Sequence, residues 1–224
     1  MRPFLRNNSL SLVFLGLFLA ALVFQSIAGL ADFNEDQVRH GDPEISYGRY
    51  LVSSEYATAV MENWQSEYLQ FTLYVLLTVW LVQRGSPESK EVDKTGGESD
   101  EDQKVGEHAE PGSPRWARIG GVRRKLYENS LVIVMAMIWI ATWLSQSLTG
   151  VTEYNTDRLD HEEAPVSWAA YLAKPDFWEK TLQNWQSEFL AVGSMAILAV
   201  YLRQRGSPES KPVGAPHHAT GVEG

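Results

Sequence analysis

One seven-residue phrase is written twice in this chain, as NWQSEYL at residues 63–69 and NWQSEFL at residues 184–190. The surrounding sequence follows the same register. Gln25 matches Gln146, Gly29 matches Gly150, Asn34 matches Asn155, His40 matches His161, Tyr50 matches Tyr171 and Lys90 matches Lys211, every pair 121 positions apart. A second phrase, QRGSPESK, recurs unchanged at 83–90 and 204–211. Self-similarity at one gapless offset is the mark of a repeated architecture. The reading is a tandem duplication, so any fold proposed for the first half must also suit the second.

Each half carries two apolar blocks, at residues 10–24 and 68–82, then 131–144 and 189–202. Crossing the hydrocarbon core takes about 20 mostly apolar residues. The first and third blocks reach that length when extended to 10–31 and 129–150. The second and fourth are shorter and must extend backward through NWQSE to span. Helices of a soluble bundle would keep a polar face, which these blocks lack. The expectation is an all-α membrane protein with four transmembrane helices, built as a duplicated two-helix unit. Residues 1–90 form the first repeat, 91–114 a linker, 115–211 the second repeat and 212–224 a tail.

The N-terminal MRPFLRNN, its apolar run and AGLA are similar to a secretory signal. The counterpart of that segment lies in mid-chain, at 129–150, where a cleavable signal has no use. A retained membrane helix is the simpler account.

Charge sets orientation. Arg2 and Arg6 lie at the start; Arg84, Lys90, Lys94, Lys104, Arg115, Arg118, Arg123, Arg124 and Lys125 fill the middle; Arg203, Arg205 and Lys211 lie near the end. The remaining two loops hold fewer bases. The positive-inside rule then puts both termini and the linker in the cytoplasm. The copies share one orientation, which suits a pseudo-two-fold axis along the membrane normal.

The linker is strongly acidic and lacks aromatic residues between 88 and 110, so it is expected to be disordered. The bases Arg115, Arg118, Arg123, Arg124 and Lys125, with Trp116 and Tyr127, suit a segment resting on anionic lipid. Ordinary positive-inside flanking explains them as well, and neither account implies nucleic acid. In the outer loops, short interfacial helices are expected; Pro175 stands at a first helical position with acids beside it. Asp36 and His40, like Asp157 and His161, would share a helix face. A metal needs three or more such ligands, so no metal is expected, and no cofactor. The absence of cysteine removes disulfides and thiolate chemistry.

Two groups of residues stand out as candidate sites. At the outer level, Gln25 and Ser26 close one helix while Asn63, Trp64 and Glu67 open the next. Gln146, Ser147, Asn184, Trp185 and Glu188 repeat the arrangement. These polar positions match between the copies while the apolar middles have drifted, so the cluster matters to the molecule. Small residues such as Gly29 and Gly150 would allow close helix approach, with the amides bonding across. Two roles remain open: a polar staple between helices, or a pair of proton- or cation-handling carboxylates, since ionisable groups in a membrane are functional candidates by default. At the cytoplasmic level, Arg84, Gly85, Ser86 and Glu88, with Arg205, Gly206, Ser207 and Glu209, read as a helix stop. The arginines would complement the helix end, the glycines terminate it, and Ser-Pro-Glu would start a short new helix. A docking surface is the alternative.

On QSLTG, NWQSEFL and QRGSPESK, the chain resembles a family of uncharacterised bacterial integral membrane proteins with four predicted membrane helices and a closing QRGS-ESK phrase. The likeness covers nearly everything outside the linker and tail. It implies the bacterial plasma membrane and no activity. The residues offer no phosphate-binding glycine loop and no nucleophile elbow, so an enzyme is the least supported class. The expectation is a non-enzymatic membrane protein acting through packing and contacts, with the lipid bilayer, a homo-oligomer or a membrane-protein partner around it. The alternative is a small transporter or channel using Glu67 and Glu188.

Overall fold

The computed structural model describes residues 2–222, and its regular elements among them are all helical. In the first half, α1 (Arg2–Asn7) leads into the 32-residue α2 (Ser9–His40), followed by α3 (Tyr47–Leu51) and α4 (Ser54–Leu77). The second half holds α5 (Arg115–Arg118), α6 (Val122–Glu128), the 31-residue α7 (Ser130–Asp160), α8 (Trp168–Tyr171) and α9 (Pro175–Tyr201). Between the halves run turns and one 3-10 turn at Gly106–His108.

The chain divides into two compact units. One comprises the residues up to Val60 together with Gln146–Tyr171, and the other Met61–Ser145 together with the residues from Leu172 on. The first unit holds α2, α3, α8 and the later part of α7. There the sequence pairs acquire matching local structure. Asn34 clamps Ile45 through both backbone groups, its amide donating to the carbonyl at 3.1 Å and its oxygen accepting from the N–H at 2.9 Å. Asn155 clamps Val166 in the same way, at 2.9 and 2.8 Å. A single Asn thus replaces a stretch of backbone pairing and sets the angle at which each short helix returns.

What returns is a tyrosine. Tyr50 and Tyr171 are buried, and each ring lies against a helix glycine, Gly29 and Gly150. A Cβ on Gly150 would fall 2.7 Å from the Tyr171 hydroxyl, and one on Gly29 would collide with that of Tyr50. The small residues of QSIAG and QSLTG therefore admit aromatic rings from the following loop, where helix-to-helix approach was expected. Phe33 and Tyr154 flank the same rings at centroid distances of 5.8 and 5.3 Å. Burial, with Glu55 nearby, pushes the Tyr50 phenol above its ordinary pKa.

The helix ends differ in one respect. α2 stops at Gly41, whose φ of 85° is the left-handed conformation that glycine adopts freely. Asp42 N–H then reaches back to Gln37 O at 2.8 Å. The matching position after α7 is Glu162, held at φ 58°, with Glu163 N–H donating to Arg158 O at 2.7 Å. The motif is kept although the residue suits it less.

Of the four expected spans, α2 and α7 are long and apolar enough to cross a membrane. α2 leaves its surface open, with Leu10 73% and Phe24 70% exposed. α4 and α9 do not pass the same test. They carry Glu55, Glu62 and Glu67, and Asp176, Glu179, Lys180 and Glu188, respectively. α4 also ends at Leu77, short of the apolar block to 82, where the linker turns back and Gly96 N–H donates to Val79 O at 2.8 Å.

Candidate functional site: a polar clasp between α4 and α9

The repeated phrase lies within α4 and α9, both in the second unit. At about 100° per residue, Trp and Glu of NWQSE share one helix face and Gln and Ser share the opposite one. The helices meet unlike face to unlike face. Trp185 Nε1 of α9 donates to Gln65 Oε1 of α4 at 2.7 Å. Beside it, the Ser66 hydroxyl lies 3.4 Å from Glu188 Oε1 and 2.9 Å from Asn63 O of its own helix. Gln65 Nε2 donates to Glu62 O at 3.1 Å, so both ends of the buried amide are held. Gln65, Ser66 and Leu69 are 0%, 1% and 4% exposed.

Support comes from an aromatic group in the same unit. Trp143 of α7 lies 6.5 Å from Trp185, 5.8 Å from Phe177 and 6.1 Å from Trp178, and stacks on Trp139 at 6.3 Å. This group locks the face of α9 that carries Trp185. Asn184 bonds back to Lys180 O at 2.8 Å, within its own helix.

Among the expected cluster residues, Trp185 and Glu188 are thus brought to α4, where Gln65 and Ser66 receive them. Glu67 and Asn63 are exposed and Trp64 is half-buried. Gln65 and Ser66 were not singled out from the sequence, although they belong to the repeated phrase. Ser26 and Ser147 serve the other unit. Ser26 Oγ bonds the Tyr47 hydroxyl at 2.7 Å, and Trp168 Nε1 donates to Ser147 Oγ at 3.0 Å. Gln25 is exposed while Gln146 is buried, its Oε1 without a hydrogen bond.

The second candidate, QRGSPESK, folds into the same closed loop in both places. Ser89 Oγ accepts from Gln83 N–H at 2.9 Å and donates to Lys90 O at 3.1 Å; Ser210 does the same with Gln204 and Lys211, at 2.9 and 3.2 Å. Ser86 and Ser207 hydroxyls accept from the N–H of Glu88 and Glu209, at 3.3 and 3.2 Å. Gly85 and Gly206 take φ of 90° and 81°, which only glycine reaches without strain. No new helix starts here: Ser86 and Ser207 accept a backbone N–H as caps would, but Ser89 and Ser210 close the loop and the segment is a run of turns. The closed loop gives each of the repeated serines and glycines a structural task. Arg203 rather than Arg84 or Arg205 covers the carbonyls at the α9 terminus, donating to Ala199 O at 3.3 Å and Val200 O at 3.0 Å.

The tail covers the glycine turn of the first loop and leaves that of the second exposed. Thr220 Oγ1 accepts from Gly85 N–H at 2.8 Å and Gly221 N–H donates to Ser86 O at 3.0 Å. Lys211, buried, donates to the carbonyls of Pro216, His217 and Ala219 at 3.3, 2.9 and 3.2 Å. Burial, with Arg203 near, pulls this ammonium below its ordinary pKa. Glu88 is also bonded by the Tyr74 hydroxyl. Of the five bases near α5 and α6, Arg124 pairs with Asp100 and Glu128, each at 3.1 Å, and Arg118 donates to Glu110 O at 3.1 Å. Arg115, Arg123 and Lys125 are exposed.

No group of three or more His, Asp or Glu side chains that could hold a metal occurs among the described residues. What the arrangement does chemically is join helices. The chain belongs to the family described as a domain of unknown function, DUF6766, whose model matches residues 1–222. No curated protein and no solved structure matches it.

Proposed function

We propose that this chain is a multi-pass protein of the bacterial plasma membrane with a non-enzymatic role, a helical scaffold acting through packing and partner contacts. In this reading it arose by tandem duplication of a two-helix unit. α2, α4, α7 and α9 all cross, both termini and the linker are cytoplasmic, and Arg115, Arg123 and Lys125 rest on anionic lipid. Support for four crossings comes from length. α4 has 24 residues and α9 has 27. At about 1.5 Å per residue, each is longer than the roughly 30 Å of hydrocarbon. Their polar first turns then lie in the outer interfacial region.

The observation that carries the scaffold reading is the pairing of Trp185 with Gln65 and of Glu188 with Ser66. These polar side chains are spent on each other, helix to helix, as membrane proteins use amides and hydroxyls for packing. The transporter reading draws on one feature, the half-buried Glu188 carboxylate against Ser66. Glu67 stands in a different, exposed setting, which weakens a pathway of two equivalent carboxylates. Purified protein in liposomes decides between them. Under imposed proton or sodium gradients the scaffold gives no flux above empty vesicles. A flux abolished by Glu188→Gln would replace it with the transporter.

A further inference from the structure

The α4–α9 contact presents a different face of each copy of the phrase. α4 supplies the socket, Gln65, Ser66 and Leu69, all buried; α9 supplies the plug, Trp185 and Glu188. The socket residues recur on α9 as Gln186, Ser187 and Leu190, identical in type and spacing, and all three are exposed, Leu190 by 68%. The plug recurs on α4 as Trp64, half-buried, and Glu67, exposed. Even the internal bond of the socket is already formed, since Ser187 Oγ donates to Asn184 O at 2.8 Å as Ser66 does to Asn63 O at 2.9 Å.

We propose that the exposed Gln186–Ser187–Leu190 stripe of α9 is the docking site for α4 of a second copy of this chain, which inserts its Trp64 and Glu67 as Trp185 and Glu188 are inserted within the chain. The occupant is identified by the contact already present: one surface that fits this stripe is written in the same sequence, on the opposite face of the neighbouring helix. Socket and plug lie about half a turn apart on each helix, so the contact is head-to-tail. It repeats from copy to copy, closing into a ring or continuing as a row according to the rotation between neighbours. The argument needs the α4–α9 clasp but not the number of membrane crossings. In a membrane it gains weight, because the exposed Gln186 amide would otherwise face lipid, which offers it no hydrogen bond.

Because the chain has no cysteine, paired substitutions report the contact cleanly. Glu67→Cys and Ser187→Cys occupy the positions equivalent to Glu188 and Ser66. Each single variant in native membranes should stay monomeric on oxidation, and co-expression of the two should give a disulfide-linked dimer. Both substitutions in one chain should give dimers and a ladder above them. Only monomer in co-expression overturns the proposal, and so does a fast-migrating monomer from the double variant, which would show the link forming within one chain. Ser66→Cys with Glu188→Cys is the control: it should link within the chain, and its failure would sink the clasp and the scaffold reading instead. Should the variants not accumulate, the mass of the unaltered protein in lipid nanodiscs decides, with a single copy per particle overturning the proposal.

Discussion

Residues 65–69 of α4 and 186–190 of α9 differ only at Tyr68 and Phe189, yet the Gln, Ser and Leu of the first are interior and those of the second are surface. Gln65, Ser66 and Leu69 are sealed, while Gln186, Ser187 and Leu190 face outward. The QRGSPESK loops repeat the lesson. Both fold alike, but the tail covers Gly85 and Ser86 and leaves Gly206 exposed. Local sequence sets local conformation in both copies; burial is set by what comes to rest against each copy. The repeated segments are therefore alike in shape and unequal in burial.

The sharpest way to break this comparison is at the leucines. Leu69→Ala should cost about 2–5 kcal/mol, the range for buried Leu truncations, while Leu190→Ala in monomeric detergent-solubilised protein should stay within about 0.5 kcal/mol. Thermal unfolding of both variants gives the contrast directly, and equal losses would erase it. Next come the amides. Gln65→Leu leaves the half-buried Trp185 Nε1 without its acceptor and should cost about 1–3 kcal/mol; Gln186→Leu should be near neutral by the same assay.

The helix ends offer a smaller, oppositely signed contrast. Glu162→Gly should stabilise by about 1 kcal/mol, because a side chain in the left-handed conformation costs about that much, and Gly41→Glu should lose a similar amount. Denaturant or thermal midpoints of the two variants would show whether the pair behaves as mirror cases. Smallest is the coupling inside the clasp. A double-mutant cycle of Gln65→Leu with Trp185→Phe should return about 0.6 kcal/mol, with a ceiling near 2. A coupling of zero would mean that the aromatic group around Trp143 positions α9 unaided.

Much of the helical layout could be read from the sequence because it rests on local rules. The apolar runs, the polar phrases inside α4 and α9 and Pro175 at the start of α9 all act over a few residues, whereas Gly85 and Gly206, expected to stop these helices, lie in turns beyond their ends at Leu77 and Tyr201. The Asn34 and Asn155 clamps, and the tyrosines against Gly29 and Gly150, join positions 11 and 21 apart, and matched residues alone do not say what they touch. Trp185 was legible as a member of the polar cluster; Gln65 as its acceptor was not, because one letter repeated in two places gives no hint of which copy will be covered. Ser-Pro-Glu misled for a related reason. Ser86 and Ser207 have the right chemistry to cap a helix, but Ser89 and Ser210 close a tighter loop first.

The interleaving of the two compact units has a consequence for how the chain tolerates breakage. Each unit draws residues from both sides of the acidic linker. A single cut between Gly96 and Gly97 severs no helix, yet it yields two fragments that each own part of both interiors and the whole of neither. Such fragments are bound to each other by composition: made as two separate polypeptides they have every reason to reunite, and made singly neither has a finished core to fold around.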